Sequence, residues 1–364
     1  MSKKILFLVA HRPGRSPGQR FRFEQYLQYL RQNGFQFDIS YLIDEKDDII
    51  FYANGRFFQK ALFLFKSIQR RFADLKRARN YQLVFLYREA HMLGTSFFEK
   101  RLRRMGAKII LDFDDSIWLK DISQGNKNLS FLKRPEKTSR IISLCHTCIV
   151  GNSYLANYAL KYNSRVFIIP TTIDTKYYTP PLKTDLPNEV VIGWTGSSTT
   201  LKHFSLAVPV LRRLKLKYKD RIRFLLISDE PYQGNLEGLT FIKWKKETEV
   251  ADLAQMDIGI MPLPDDSWSK GKCGFKGLQY MALKIPAVMS PVGVNNEIII
   301  DGENGFLADS PQSWERILSG LIEDESLRKK IGERGRVTVE QAYSFASQKE
   351  NYLKIFENAL AVES

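Results

Sequence analysis

Val190–Lys217 reads VVIGWTGSSTTLKHFSLAVPVLRRLKLK. Val190–Gly193 is a short apolar strand, Gly193–Thr200 turns on glycines and small hydroxyl side chains, and Ser205–Lys217 repeats apolar residues at helical spacing. A buried strand that passes through a glycine turn into a helix is the unit of a parallel sheet covered by helices. The grammar continues downstream in the strands Arg223–Ser228, Leu239–Lys243, Asp257–Met261 and Ala287–Ser290 and the helix Phe275–Leu283; from Ser310 the chain reads as helical almost to its end. It also runs upstream: strands at Ile5–Ala10, Phe37–Ile43, Leu83–Tyr87, Lys108–Phe113, Thr147–Gly151 and Val166–Ile169, and helices at Arg20–Asn33 and Ser96–Met105, ended by Gly34 and Gly106. Pro170–Pro187 has four prolines and no period, so it reads as a linker. The fold class expected is α/β: two Rossmann-like doubly wound domains, 1–170 and 188–342, joined by a linker at 171–187 and followed by a last segment at 343–364. In such sheets ligands bind beyond the carboxyl ends of the strands, and a central cleft that both domains face is the expected site.

Composition narrows the function. The chain has 364 residues, 44% apolar and 26% charged, a globular balance that excludes disorder and collagen-like repeats. Three cysteines cannot make a disulfide framework, which points to a reducing compartment. The apolar run Ile5–Ala10 is too short for a signal segment or a spanning helix, so a cytoplasmic protein, at most peripheral at the inner membrane face, is expected. The net charge is +15, and all of the excess lies in the first half: residues 1–170 hold 30 Lys+Arg against 14 Asp+Glu, residues 171–364 hold 25 against 26. The densest stretch, 56–79 (RFFQKALFLFKSIQRRFADLKRAR), sets Phe58, Leu62, Phe65 and Phe72 on one helical side with cations largely off it. That pattern fits a helix lying on an anionic membrane surface, and it also fits a domain helix that buries its Phe side and solvates its charges. No nucleic-acid-binding motif accompanies the charge, so nucleic acid is not an expected partner.

Several segments could carry chemistry. The first strand runs into His11–Arg22 (HRPGRSPGQRFR), a loop containing Gly14 and Gly18 that opens a helix. Backbone N–H groups there attract anions and Arg20 and Arg22 add charge, although a plain surface loop is an equal reading. The turn Gly196–Thr200, with Ser198, Thr199 and Lys202 in or after it, suits a phosphate; N-capping by a Ser or Thr is the alternative. In Ser269–Val288 (SKGKCGFKGLQYMALKIPAV), Lys272 and Lys276 flank Gly274 and Phe275 at a helix start, where the dipole disfavours cations, so a compensating anionic ligand is expected; Gln279 follows one turn later. Arg88, Glu89 and His91 follow a strand, and His91 could polarise a hydroxyl, act as an acid, or be a surface histidine. Asp112, Asp114 and Asp115 could bind a divalent ion or serve an acceptor or structural role. Cys145–Cys148 has CxxC spacing without a second pair and reads as core. No Gly-x-Ser-x-Gly elbow or Ser-His-Asp order points to a hydrolase.

These segments, taken in order, resemble glycosyltransferase family 4, the retaining GT-B enzymes. The likeness runs through Pro17–Arg22, Tyr87–Ala90, Asp112–Asp115, Gly151–Ala156, Ile169–Asp174, Ser269–Val288, Ser290–Gly293 and Asp301–Ala308. It implies a GT-B fold whose last helix, about Phe345–Leu360, crosses back to the first domain. It also implies a nucleotide-sugar donor held mainly by the second domain (Gly196, Ser198, Thr199, Lys202, Lys272, Gly274, Phe275, Lys276 and Gln279, with Gly18 from the first) and a glycan or lipid-linked acceptor on the first (Arg20, Arg22, Asp114 and Asp115). Arg88, Glu89 and His91 would act at the reaction centre, with no cofactor and no obligatory metal. Surface polysaccharide synthesis is the implied setting. The sequence departs from the family's E-x7-E pair at Gly271 and Gln279, and Trp194 stands where the family has an arginine. Two other readings stay open: a catalytically degenerate nucleotide- or glycan-binding module, and a UDP-sugar epimerase.

Overall fold

The structure is a computed structural model that describes residues 3–53, 55–119, 134–180 and 189–361. The chain divides into two units: residues through Thr171 together with those from Lys349, and Thr172–Gln348 between them.

The first unit holds strands β1 (Lys3–His11), β2 (Phe35–Ile43), β3 (Leu83–Tyr87), β4 (Lys108–Phe113), β5 (Thr147–Val150) and β6 (Val166–Ile168). They form one parallel sheet in the order β2-β1-β3-β4-β5-β6. The apolar runs of β1, β3 and β4 are covered on both faces, which is why they read as continuous rather than alternating. Phe7, Phe23 and Phe85 pack with ring centroids 4.7–5.4 Å apart within this layer. The helix expected over Arg20–Asn33 is broken in two, Pro17–Arg22 and Leu27–Gln32, around a tight turn at Glu24–Tyr26. Cys145 and Cys148 are buried free thiols.

The second unit holds β7 (Val190–Thr195), β8 (Ile222–Ser228), β9 (Leu239–Lys243), β10 (Ile258–Met261), β11 (Ala287–Met289) and β12 (Phe306–Leu307), again one parallel sheet. Its order, β9-β8-β7-β10-β11-β12, is the doubly wound 3-2-1-4-5-6 pattern. The core on one face joins Trp194, Phe204, Leu211, Phe224, Leu318 and Leu321.

The linker expected at 171–187 needs correction. Its residues 181–187 lie outside the described residues, but its start is built into the second unit. The Ile173 N–H donates to the Tyr343 carbonyl at 2.9 Å, its own carbonyl accepts from Phe345 N–H at 3.0 Å, and the Tyr178 hydroxyl reaches buried Glu249 at 2.9 Å. The second unit likewise runs to Gln348 rather than 342. The last helix, Phe345–Ala361, begins in the second unit and continues in the first, where Tyr352 stacks on Tyr26 at 4.1 Å. Among the described residues no helix is long and apolar enough to cross a membrane.

Candidate functional site

In the second unit the strand order reverses between β7 and β10, so the loops after these two strands open at the sheet's switch point. Tyr280 ties them together: its hydroxyl accepts from Thr195 N–H at 3.0 Å and donates to the Ile260 carbonyl at 3.3 Å. One turn earlier on the same helix, Phe275–Ala282, the Lys276 Nζ lies 5.4 Å from the Trp194 ring centroid. Lys272 lies 5.9 Å from the Trp268 ring. Lys202 comes from the other loop, in the first turn of the helix Leu201–Tyr218.

A single buried side chain registers all three cations. His203 is 3% exposed, and its Nδ1 has no hydrogen-bond partner. Burial first, then the charges of Lys272, Lys276 and Lys202, hold its imidazole down to about pKa 3 against the weaker pull of Asp266. Lysines that follow β7 and β10 are thus near enough for their charges to act on one buried imidazole. The helix start beside them is Gly274, at φ +67°, where a Cβ would meet Ile298 Cδ1 at 2.3 Å; no side chain caps this helix.

The turn after β7 differs from the phosphate cradle expected of Gly196, Ser198 and Thr199. The carboxylate of Asp229 accepts from Ser198 N–H at 2.5 Å and from its hydroxyl at 2.8 Å. Ser197 N–H donates to Thr200 Oγ1, Gly196 N–H to the Ile227 carbonyl, and the Thr199 hydroxyl pairs with Ser197. The turn's own hydroxyls and a protein carboxylate fill the place given to the anion. Gly196 is required by packing, since a Cβ would fall 2.3 Å from the Trp194 ring. Gln279 is also corrected. It is buried, and its amide donates to the Tyr178 hydroxyl at 2.9 Å and to Glu249 at 3.4 Å, so that nitrogen is committed to the interior rather than to a ribose.

In the first unit the reversal falls between β1 and β3. Here Arg88 takes the left-handed conformation, φ +68°, rare outside glycine and costing on the order of 1 kcal/mol. Its amide donates to the Asp112 carbonyl at 2.8 Å, and its guanidinium bridges Asp114 (2.8 Å) and Asp115 (2.5 Å). Burial would raise the Asp114 carboxyl, but Arg88 and Arg22 hold it below its ordinary value. The Tyr87 hydroxyl donates to Asp114 at 2.8 Å, and Gly18 passes so close that a Cβ would sit 2.2 Å from that hydroxyl.

Two expectations fail in this unit. His91 is neither a surface residue nor available to substrate. It is 1% exposed, its Nδ1 accepts from Leu93 N–H at 3.2 Å, and its Nε2 faces the Ser67 hydroxyl at 2.9 Å, so both ring nitrogens are used internally. Arg22 is sealed beneath the site, paired with Asp112 at 2.9 Å, rather than offered to an acceptor. Glu89 keeps 30% of its side chain exposed while it pairs with Lys137 at 3.0 Å. Arg20 stacks its guanidinium 4.9 Å from the Phe21 ring.

The sequence reading passed over His11, the last residue of β1, although it opens the loop at the switch point. Its ring lies parallel to Tyr52, with Nε2 3.2 Å from the hydroxyl, and its Nδ1 has no partner. Asp48 beside it takes Arg12 at 2.9 Å and Arg15 at 2.5 Å. Burial, then Arg15, lowers the His11 imidazole to about 4; burial, Arg71 and Lys137 lower His91 to about 4 as well. With His11, His91 and His203 all depressed below the unfolded value, as His146 also is, the unfolded chain binds more protons as pH falls. Their contribution is therefore complete above about pH 6.5 and is lost from there down toward pH 4 for His11 and His91 and pH 3 for His203. We expect the melting temperature to fall between pH 7 and 5, and His91→Gln to flatten that slope; an unchanged slope would count against the buried, neutral assignment.

Each unit is a Rossmann-like parallel-sheet layer, and two such units in one chain are the pattern of the GT-B fold. Residues 189–324, which hold all six strands of the second unit's sheet, match the family model described as "Glycosyl transferases group 1". An uncharacterized glycosyltransferase of Methanocaldococcus jannaschii, MJ1178, is 25% identical over 215 residues, an alignment that spans 52% of this chain and 59% of that protein. Among solved structures, sucrose-phosphate synthase from Thermosynechococcus elongatus superimposes with a TM-score of 0.71 at 13% identity, over 99% of both chains. The Anabaena protein HepE, solved in complex with UDP-glucose, does so with a TM-score of 0.69 at 12% identity, over 98% of this chain and 99% of that one.

Proposed function

We propose that the chain is a retaining glycosyltransferase of family 4 that moves a sugar from a nucleotide-diphosphate donor to a glycan or lipid-linked acceptor. The observation that carries this reading is the placement of Lys202, Lys272 and Lys276 after β7 and β10 at the second unit's switch point, with Lys276 5.4 Å from the Trp194 ring. Three cations beside an uncapped helix start form an anion site, and a diphosphate leaving group develops negative charge as the glycosidic bond breaks. The glycosyl group-1 match to the same unit and the fold shared with a UDP-glucose-bound protein support a nucleotide sugar as the donor.

In this reading the bond between C1 of the sugar and the diphosphate oxygen breaks as the acceptor oxygen bonds to C1 on the same face. The acceptor's proton passes to the departing diphosphate, so no protein base is needed and no metal is invoked. The first unit holds the acceptor, with Arg88 and Asp114 fixed by their mutual pairing and His11 supplying a neutral imidazole at the end of β1. We place the reaction in the cytoplasm, in surface polysaccharide synthesis.

The test is a thermal-shift screen against UDP-, GDP- and ADP-sugars followed by sugar transfer with the stabilising donor. One donor should raise the melting temperature; a concentration of 100 times Kd corresponds to about 2.7 kcal/mol. No shift with any of them would overturn the donor assignment. A second reading, a nucleotide-sugar binder without transfer, is favoured by Gly271 and by the interior bonding of Gln279. It predicts the same shift with no sugar released to any acceptor.

A further inference from the structure

The helix Phe57–Arg77 in the first unit is inside out. Its buried side carries Lys60, Ser67, Arg71 and Asp74 with Phe63, while Phe58 (77% exposed), Leu62 (54%), Phe65 (61%) and Phe72 (46%) face solvent. Arg71 explains why the helix does not roll over. Its guanidinium, fully buried, donates to the Val9 carbonyl at 2.7 Å, the Ala90 carbonyl at 2.6 Å, Ser40 Oγ at 3.1 Å and Asp74 at 2.8 Å. Rolling the phenylalanines inward would strip a buried charge of these partners. The domain-helix reading, with the Phe side buried and charges solvated, is thereby excluded.

The exposed stripe continues onto the neighbouring helix Phe97–Arg104, where Phe72 meets Phe97 at 5.8 Å and Arg101 lies 5.4 Å from the Phe97 ring. Exposed cations Arg56, Lys76, Arg101 and Arg104 surround it. These two helices contain only two acids, Asp74 and Glu99, and both are buried. The solvent side of both helices is thus apolar in the middle, cationic at the rim and free of acids.

We infer that this face docks on an anionic lipid bilayer, the aromatic side chains entering the interface and the arginines and lysines meeting headgroups. Charge complementarity selects this occupant: a second copy of the face would set cations against cations, and an uncharged apolar groove would leave the rim unanswered. The inference does not depend on the transfer reading, because its readout is binding alone.

The experiment is sedimentation of the full chain with phosphatidylcholine vesicles, with and without about 30% phosphatidylglycerol, at low and high salt. Binding should be about tenfold or more stronger with the anionic lipid, and weaker in high salt. Phe58→Gln/Leu62→Gln/Phe65→Gln should lower partitioning about tenfold or more, and Arg56→Gln/Lys76→Gln/Arg101→Gln should remove the anionic preference, with melting temperature and donor binding retained in both. These side chains are exposed, so the variants fold. No sedimentation of the wild type at low salt, equal binding by the apolar triple variant, or a dimer in light scattering that this variant abolishes would overturn the inference.

Discussion

Replacing Lys202 and Lys276 together with Ala is expected to lower kcat/KM for sugar transfer by about 10²–10³-fold, the range found when one preorganised donor to a developing oxyanion is lost. Lys202 is exposed and Lys276 half-buried, so removing them costs little packing; the melting temperature should move by no more than about 2 °C. Loss concentrated in kcat would mean that the ammonium groups act mainly as the diphosphate departs, and loss confined to KM that they bind ground state and transition state alike. The same substitution removes two of the three cations that suppress the His203 imidazole, so its pKa should rise toward the ordinary histidine value, visible in its ring resonances. Lys272→Ala should fall between wild type and the double variant. Transfer retained within about threefold would show that the lysine cluster is not where the leaving group sits.

The sheets were legible because β1, β3, β4, β7 and β8 are buried on both faces, and a two-face burial requirement writes itself as an unbroken apolar run. Glycine-terminated helices gave the boundaries for a similar local reason. What could not be read locally depended on partners far along the chain. The turn at Ser198 looks open until Asp229, 31 residues later, closes it. His91 sits near Arg88 in sequence, but the chain folds its ring back onto Ser67, 24 residues earlier. Pro170–Pro187 has the composition of a linker, and only Tyr343 and Glu249 reveal that its first residues belong to the second unit. The helix Phe57–Arg77 shows that periodicity finds an amphipathic helix without saying which side faces in. That choice rests on Arg71 and its carbonyl partners in β1 and after β3.

Arg22→Ala is expected to destabilise the first unit by about 3–5 kcal/mol, the cost of leaving one member of a buried ion pair alone. Arg22 and Asp112 are 1% and 0% exposed, held by hydrogen bonds of 2.9 Å from Nε and 3.3 Å from Nη2, and the remaining guanidinium nitrogen, Nη1, donates to the Ile169 carbonyl. The pH dependence separates this mechanism from a simple packing loss. Burial pushes the Asp112 carboxyl up to about 6 even with Arg22 beside it. An acid whose folded pKa exceeds its unfolded value favours the fold below the unfolded pKa, near 4, and loses that contribution as pH rises through about 6. Without Arg22 the carboxyl must keep its proton to higher pH or ionise unpaired, so the deficit of Arg22→Ala should be larger at pH 8 than at pH 5. Asp112→Asn, which removes this titration, should steepen the loss of first-unit stability as pH falls from 6.5 to 4, because the opposing contributions of His11 and His91 are then uncompensated. Because two units unfold in one chain, the measurement is hydrogen exchange at the amides of β3 and β4, which reports the first unit alone. Replacing both partners with leucine should restore most of the stability and leave only the pH dependence set by the histidines; a deficit in Arg22→Ala that is the same at both pH values would show that the charge of Asp112 is not what Arg22 holds in place.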